Sequence, residues 1–117
     1  MRVVAVVRHW RDAEGVTGSR LYLWCPACEE PHTPQIAGPE PLWTWDGNLD
    51  APTVNPSILV QGVQWGPEQT FYKPSHQVGR GEPTICHSFV KAGHWEFLSD
   101  CTHTLAGVTV PLPPLPW

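Results

Sequence analysis

The chain has 117 residues, enough for one domain built on one core. Its net charge is −4 and its seven basic residues stand singly, so it lacks the clustered positive surface of a nucleic-acid binder, and no stretch approaches the roughly 20 apolar residues of a membrane span. Fourteen prolines and seven tryptophans in a chain that is 41% hydrophobic describe a loop-rich protein with an aromatic core rather than a disordered one.

The first apolar run, Val3 to Val7, is shorter than the roughly 7 to 15 residues of a signal-peptide core. The expected location is therefore the cytosol, where four cysteines serve as metal ligands rather than disulfides. Val3 to Trp10 is rich in β-branched valine and, with Arg20 to Trp24 after a Gly15 to Gly18 turn, predicts a first hairpin. Its second strand runs into Cys25-Pro26-Ala27-Cys28, which places a CxxC on a strand-ending turn. Glu29 to Pro56 reads as proline-punctuated loop, broken at Trp43 to Asn48, where Asp46-Gly47 signals a tight turn presenting two tryptophans. Ser57 to Trp65 reads as another strand, with Ile58 and Val60 alternating against Leu59 and Gln61, ended by Gly66-Pro67.

The clearest hairpin spans Thr84 to Ser99 around Ala92-Gly93. With those two as loop residues, Cys86 lies across from Ser99; continued alternation puts Cys101 on the face of Cys86 and directs His87 to the other. Asp100 is placed to cap a short helical turn through Leu105 that stops at Gly107, the one helix the sequence suggests. Residues 1–110 form the expected domain, and 111–117, Pro-Leu-Pro-Pro-Leu-Pro-Trp, a polyproline tail lying along it. The predicted fold is mainly β: antiparallel hairpins, little helix, and a zinc-knuckle or zinc-ribbon-like site.

A CxxC turn brings two thiolates to one ion, and Zn²⁺ takes four soft or borderline ligands in a tetrahedron. A redox CxxC opens a helix, whereas here Glu29-Glu30-Pro31 begins a loop. The face argument selects Cys25, Cys28, Cys86 and Cys101 as the ligand set. His103 competes with Cys101, since two-residue spacing shares a face only in extended chain. His87 and His32 are further candidates, and Asp100 is a candidate partner behind a ligating histidine. His9, His76 and His94 read as ordinary surface residues. His94-Trp95-Glu96 matches the HxE of zinc deaminases but follows the Cys pair instead of preceding it.

The blocks Leu-Trp-Cys-Pro-Ala-Cys, Trp-Thr-Trp-Asp-Gly-Asn-Leu-Asp-Ala-Pro-Thr, Asn-Pro-Ser-Ile-Leu-Val, Ile-Cys-His-Ser-Phe-Val and Asp-Cys-Thr-His-Thr-Leu-Ala-Gly occur in this order between Leu21 and Leu112. As a set they resemble a small bacteriophage and prophage family of unknown function, whose frequent label "ammonia monooxygenase" finds no copper site here. The resemblance implies phage origin, and so the host cytoplasm as location, and a zinc site. The chain is also distantly similar to zinc proteins encoded beside bacterial ubiquitin-like conjugation genes, although their Cys-x-Ser-His-Phe stands here as Cys86-His87-Ser88-Phe89.

Four protein ligands leave a metal no open position, so the expected function is a zinc-stabilised binding module acting on a host or phage macromolecule in the cytosol, with catalysis second. The alternatives are a zinc hydrolase with an open metal position and His87, His103, Asp100 or Asp46 as acid/base, and a protein sequestering a small ligand against Trp43 to Asp50.

Overall fold

Alternating burial decides where the strands lie. In a computed structural model, which describes residues 3–64 and 82–117, β1 (Ala5–Arg11) and β2 (Thr17–Cys25) form the expected first hairpin, with Ala5 opposite Leu23 and Arg11 opposite Thr17. Every second residue of β2 is buried from Leu21 through Leu23 to Cys25, so the strand carries its apolar face directly onto the first thiol. β3 (Glu30–His32) folds back along the end of β2 and β4 (Gln35–Ala37) along its start, completing a first sheet.

The second sheet runs in the order β5 (Thr44–Trp45), β6 (Val54–Gln64), β7 (Glu82–Lys91), β8 (His94–Phe97), β9 (Thr109–Pro111), all neighbours antiparallel. Ala92 and Gly93, both at positive φ (47° and 77°), make the tight β7–β8 turn, and Val90 faces Trp95 as the two-residue loop requires. Trp65, Gly66, Pro67 and His76 lie outside the described residues.

The inner faces of the two sheets meet over Leu21, Leu23, Val54, Ile58, Val90, Trp95 and Phe97. Trp95 is fully buried, and its indole N–H donates to the Trp24 carbonyl at 2.9 Å, tying one sheet to the other. Burial on this scale gives Trp95→Ala an expected cost of about 3–5 kcal/mol.

One local reading changes. Among the described residues there is no helix, and so none long and apolar enough to cross a membrane. The segment after Asp100 is a series of turns, closed by Ala106 N–H donating to His103 C=O (3.3 Å) and Val108 N–H to Leu105 C=O (3.0 Å). Residues from Thr109 onward lie along the domain: β9 adds a strand, Leu112 N–H donates to Gly93 C=O and Leu115 N–H to Val3 C=O, and both leucines are buried. Trp43 and Trp45 are half-buried against the core, and Asp46 Oδ1 closes their turn by accepting from Asn48 N–H and Thr53 N–H. Trp43 also lines a shallow cleft with His32, Pro34 and Ile58.

Candidate functional site

The end of β2, its knuckle and β3 are drawn together by short-range bonds. Glu29 N–H donates to Cys25 C=O at 2.9 Å with Glu29 at φ 54°, turning the chain so that β3 returns and seats His32 opposite Leu23. From the other sheet β7 presents Cys86 on its inward face. The outcome is one group of donors, Cys25, Cys28, His32 and Cys86, whose ligand atoms all lie within 4.8 Å of one another. Cys25 Sγ and Cys86 Sγ are 3.9 Å apart, and Cys86 Sγ lies 3.5 Å from His32 Nε2. These four residues could hold a metal ion.

The electrostatics of the thiols point the same way. Hydrogen bonding to Cys86 holds the Cys25 thiol down to about 4 against the opposing effect of burial, with His32 assisting. Burial, then the Cys25 charge, pushes Cys28 up to about 12, and the bond to Cys25, then burial, drives Cys86 upward as well. Without a cation the three sulfurs share one negative charge; a bound cation is what lets all three ionise together.

Cys101 is not in this group. The alternation that was to align it with Cys86 holds only inside the ladder, and the β7–β8 ladder ends at Phe97. The chain then turns, with Cys101 N–H donating to Leu98 C=O (3.2 Å), and the Cys101 thiol comes to rest on the backbone of His87. His32 occupies the fourth position because β3 pairs back onto β2. His103 is not a donor to the group either: its Nδ1 accepts from Leu105 N–H, and its ring packs on Phe97 at 4.7 Å.

On the outer face of the second sheet a different constellation forms. Between Val54, opposite Val90, and Ile58, opposite Ser88, β6 advances four residues while β7 advances two. The bulge, which contains the Asn55–Pro56 peptide, redirects Ser57. Ser57 Oγ lies 2.9 Å from His87 Nε2, and His87 Nδ1 lies 3.1 Å from Asp100 Oδ2. A carboxylate only accepts, so Nδ1 carries the proton and donates to Asp100, which leaves Nε2 to accept from the Ser57 hydroxyl. Trp43 Nε1 donates to the Ser57 carbonyl at 3.2 Å and holds the bulge in place. The His87 side chain is 25% exposed and that of Asp100 54%, so the line of three opens to solvent.

His87 and Asp100, expected as acid/base groups beside a metal-bound water, lie instead on the sheet face away from the thiol cluster, in line with Ser57, and Asp100 caps no helix. Ser57 itself escaped sequence reasoning. Its signal was Pro56, which cannot donate to a ladder and so marks a bulge inside β6.

No curated protein and no solved structure matches the chain. A family described as "Bacterial ubiquitination-like system serine protease (BubE)" matches residues 5–98, a span that takes in all four clustered donors, Ser57 and His87. The match covers most of the 117 residues, and the chain belongs to the BubE family.

Proposed function

We propose that this protein is a serine peptidase in which Ser57 is the nucleophile, His87 the general base and acid, and Asp100 the group that orients His87. The observation that carries the reading is the unbroken line Ser57 Oγ, His87 Nε2, His87 Nδ1, Asp100 Oδ2, with gaps of 2.9 and 3.1 Å. Such a constellation is recognised by geometry and roles, not by chain order or fold. The family description, a serine protease of a bacterial ubiquitination-like system, supports the reading, and an open site on a sheet face suits a macromolecular substrate such as a protein of that kind of system.

The chemistry follows from the tautomer. Ser57 Oγ attacks the substrate carbonyl carbon as its proton passes to Nε2, and the imidazolium is stabilised by Asp100. Collapse of the tetrahedral intermediate breaks the bond to the leaving amine or alcohol, which takes the Nε2 proton. Water then attacks the acyl-Ser57 ester, giving its proton to Nε2; the acid departs, and that proton returns to Ser57 Oγ.

The ion suited to the thiol cluster is zinc. A tetrahedron with Zn–S of about 2.3 Å and Zn–N of about 2.0–2.1 Å has S···S edges of about 3.8 Å and S···N edges of about 3.5 Å, against the 3.9 and 3.5 Å found here. Four protein donors make it a closed, structural centre that clamps the two sheets. A reducing cytosolic setting fits four cysteines that are all free.

A fluorophosphonate probe, which phosphonylates an activated serine with loss of fluoride, tests the reading. Labelling of the purified protein at Ser57, abolished in Ser57→Ala while that variant keeps its metal and its melting temperature, is the expected result. A wild-type protein that stays unlabelled would remove the assignment.

A further inference from the structure

Where β8 leaves β7 after Phe97, the backbone of β7 still needs partners on that side, because a half-buried N–H or C=O left unpaired costs about as much as a lost hydrogen bond. The segment Asp100-Cys101-Thr102 supplies them. Thr102 N–H donates to Ile85 C=O at 2.9 Å, and Thr102 Oγ1 accepts from Ile85 N–H at 2.9 Å. One step along, the Cys101 sulfur accepts from His87 N–H at 3.2 Å, and its S–H donates to His87 C=O at 3.1 Å. Leu98 N–H takes the second lone pair of that carbonyl at 2.9 Å.

We infer that Cys101 is a positioning residue for His87, its thiol clasping both backbone groups of the residue whose ring faces Ser57. Asp100 holds that ring by Nδ1, and Cys101, its neighbour in sequence, holds the peptide from which the ring hangs. One short segment therefore fixes the base at both ends. A thiol suits the task because it both donates and accepts, and Cys101 is buried, at 8% exposure, where water cannot substitute for it. The donating S–H must keep its proton, which is the opposite of what a metal-ligating thiolate needs; Cys101 and the four clustered donors therefore do different work. A base displaced by an ångström loses on the order of 100-fold in rate, so removing the clasp acts on Ser57 reactivity without touching Ser57, His87 or Asp100.

The proposal rests on the serine reading, and one experiment separates the two. Fluorophosphonate labelling kinetics are measured for wild type, Cys101→Ala, Cys101→Val and Cys101→Ser, together with metal content and melting temperature. Alanine and valine remove the donor and acceptor, valine filling the space should alanine fail to fold. The expected result is a fall of about 10- to 100-fold in the maximal labelling rate at unchanged half-saturating probe concentration, with metal retained. Serine, which keeps a donor and an acceptor, restores most of the rate. Wild-type labelling with unchanged rates in the alanine or valine variant would overturn the positioning role and leave the serine reading standing. An unlabelled wild type would sink both. Loss of metal from the alanine, valine or serine variant would make Cys101 a ligand and overturn the proposal.

Discussion

The thiol cluster and the serine line share β7, and neighbouring residues serve them: Cys86 faces inward to the cluster, His87 outward to Ser57. The cluster is mostly buried and closed on four sides by protein donors; the serine line is half-exposed. Strand alternation makes this division of labour possible, since a side-chain period of two hands successive residues to opposite faces. On the proposed reading, stability and chemistry are separated by the thickness of one sheet, yet bound through one peptide bond.

Breaking the cluster should have the largest effect, because it removes both sides of the comparison. Structural zinc contributes binding free energy on the order of 10 kcal/mol, comparable to the whole stability of a small domain. Cys25→Ser or Cys28→Ser should therefore lose metal, fold and probe labelling together, seen by metal analysis, circular dichroism and labelling. An unchanged thermal melt in either variant would contradict a structural centre.

Breaking the outer face should remove chemistry alone. Ser57→Ala is expected to lower hydrolysis by about 10⁴-fold or more, and Asp100→Asn by about 10³- to 10⁴-fold, with melting temperatures near that of the wild type. A large loss of folded protein in Ser57→Ala would show that the two regions are not separable.

Proton counting sharpens the electrostatic side. In the metal-free protein at pH 7, Cys25, held at about 4, is already a thiolate, while Cys28, at about 12, and Cys86, also raised, keep their protons. Metal binding should therefore release about two protons from the sulfurs, and affinity should rise with pH by about 100-fold per unit around neutrality. Below about 4 Cys25 is protonated too, so acid makes the release three and drives the ion out. Zinc titration into weakly buffered protein with a pH indicator reads this directly, and binding without proton release would exclude ligation by Cys28 and Cys86. The smallest effect belongs to His103→Ala, expected to keep its metal and cost about 1–2 kcal/mol through the lost Phe97 contact; metal loss in that variant would place His103 in the centre.

Much of the fold was legible. The Val3 to Trp24 hairpin, the knuckle on a strand-ending turn and the Ala92-Gly93 loop follow from alternation and turn chemistry, which act over a few residues. His32 was harder to rank, because its place depends on β3 pairing backwards onto β2. Cys101 was misaligned because alternation was carried past the end of a ladder. Ser57 was invisible because nothing local joins it to His87, 30 residues away; only the bulge and the β6–β7 register do.

The spacing of the clustered donors also sets an order of assembly. Cys25, Cys28 and His32 lie on one turn and the strand beside it, whereas Cys86 is 61 residues from Cys25. Closing a loop of that length costs more entropy and time than closing the knuckle. As the chain leaves the ribosome, N-terminal end first, an ion bound as proposed would meet three donors well before the fourth is synthesised. The knuckle then acts as a nucleus awaiting the second sheet, and arrival of Cys86 brings His87 to Ser57 in the same event. On the proposed peptidase reading, hydrolytic competence would thereby be withheld from the unfinished polypeptide.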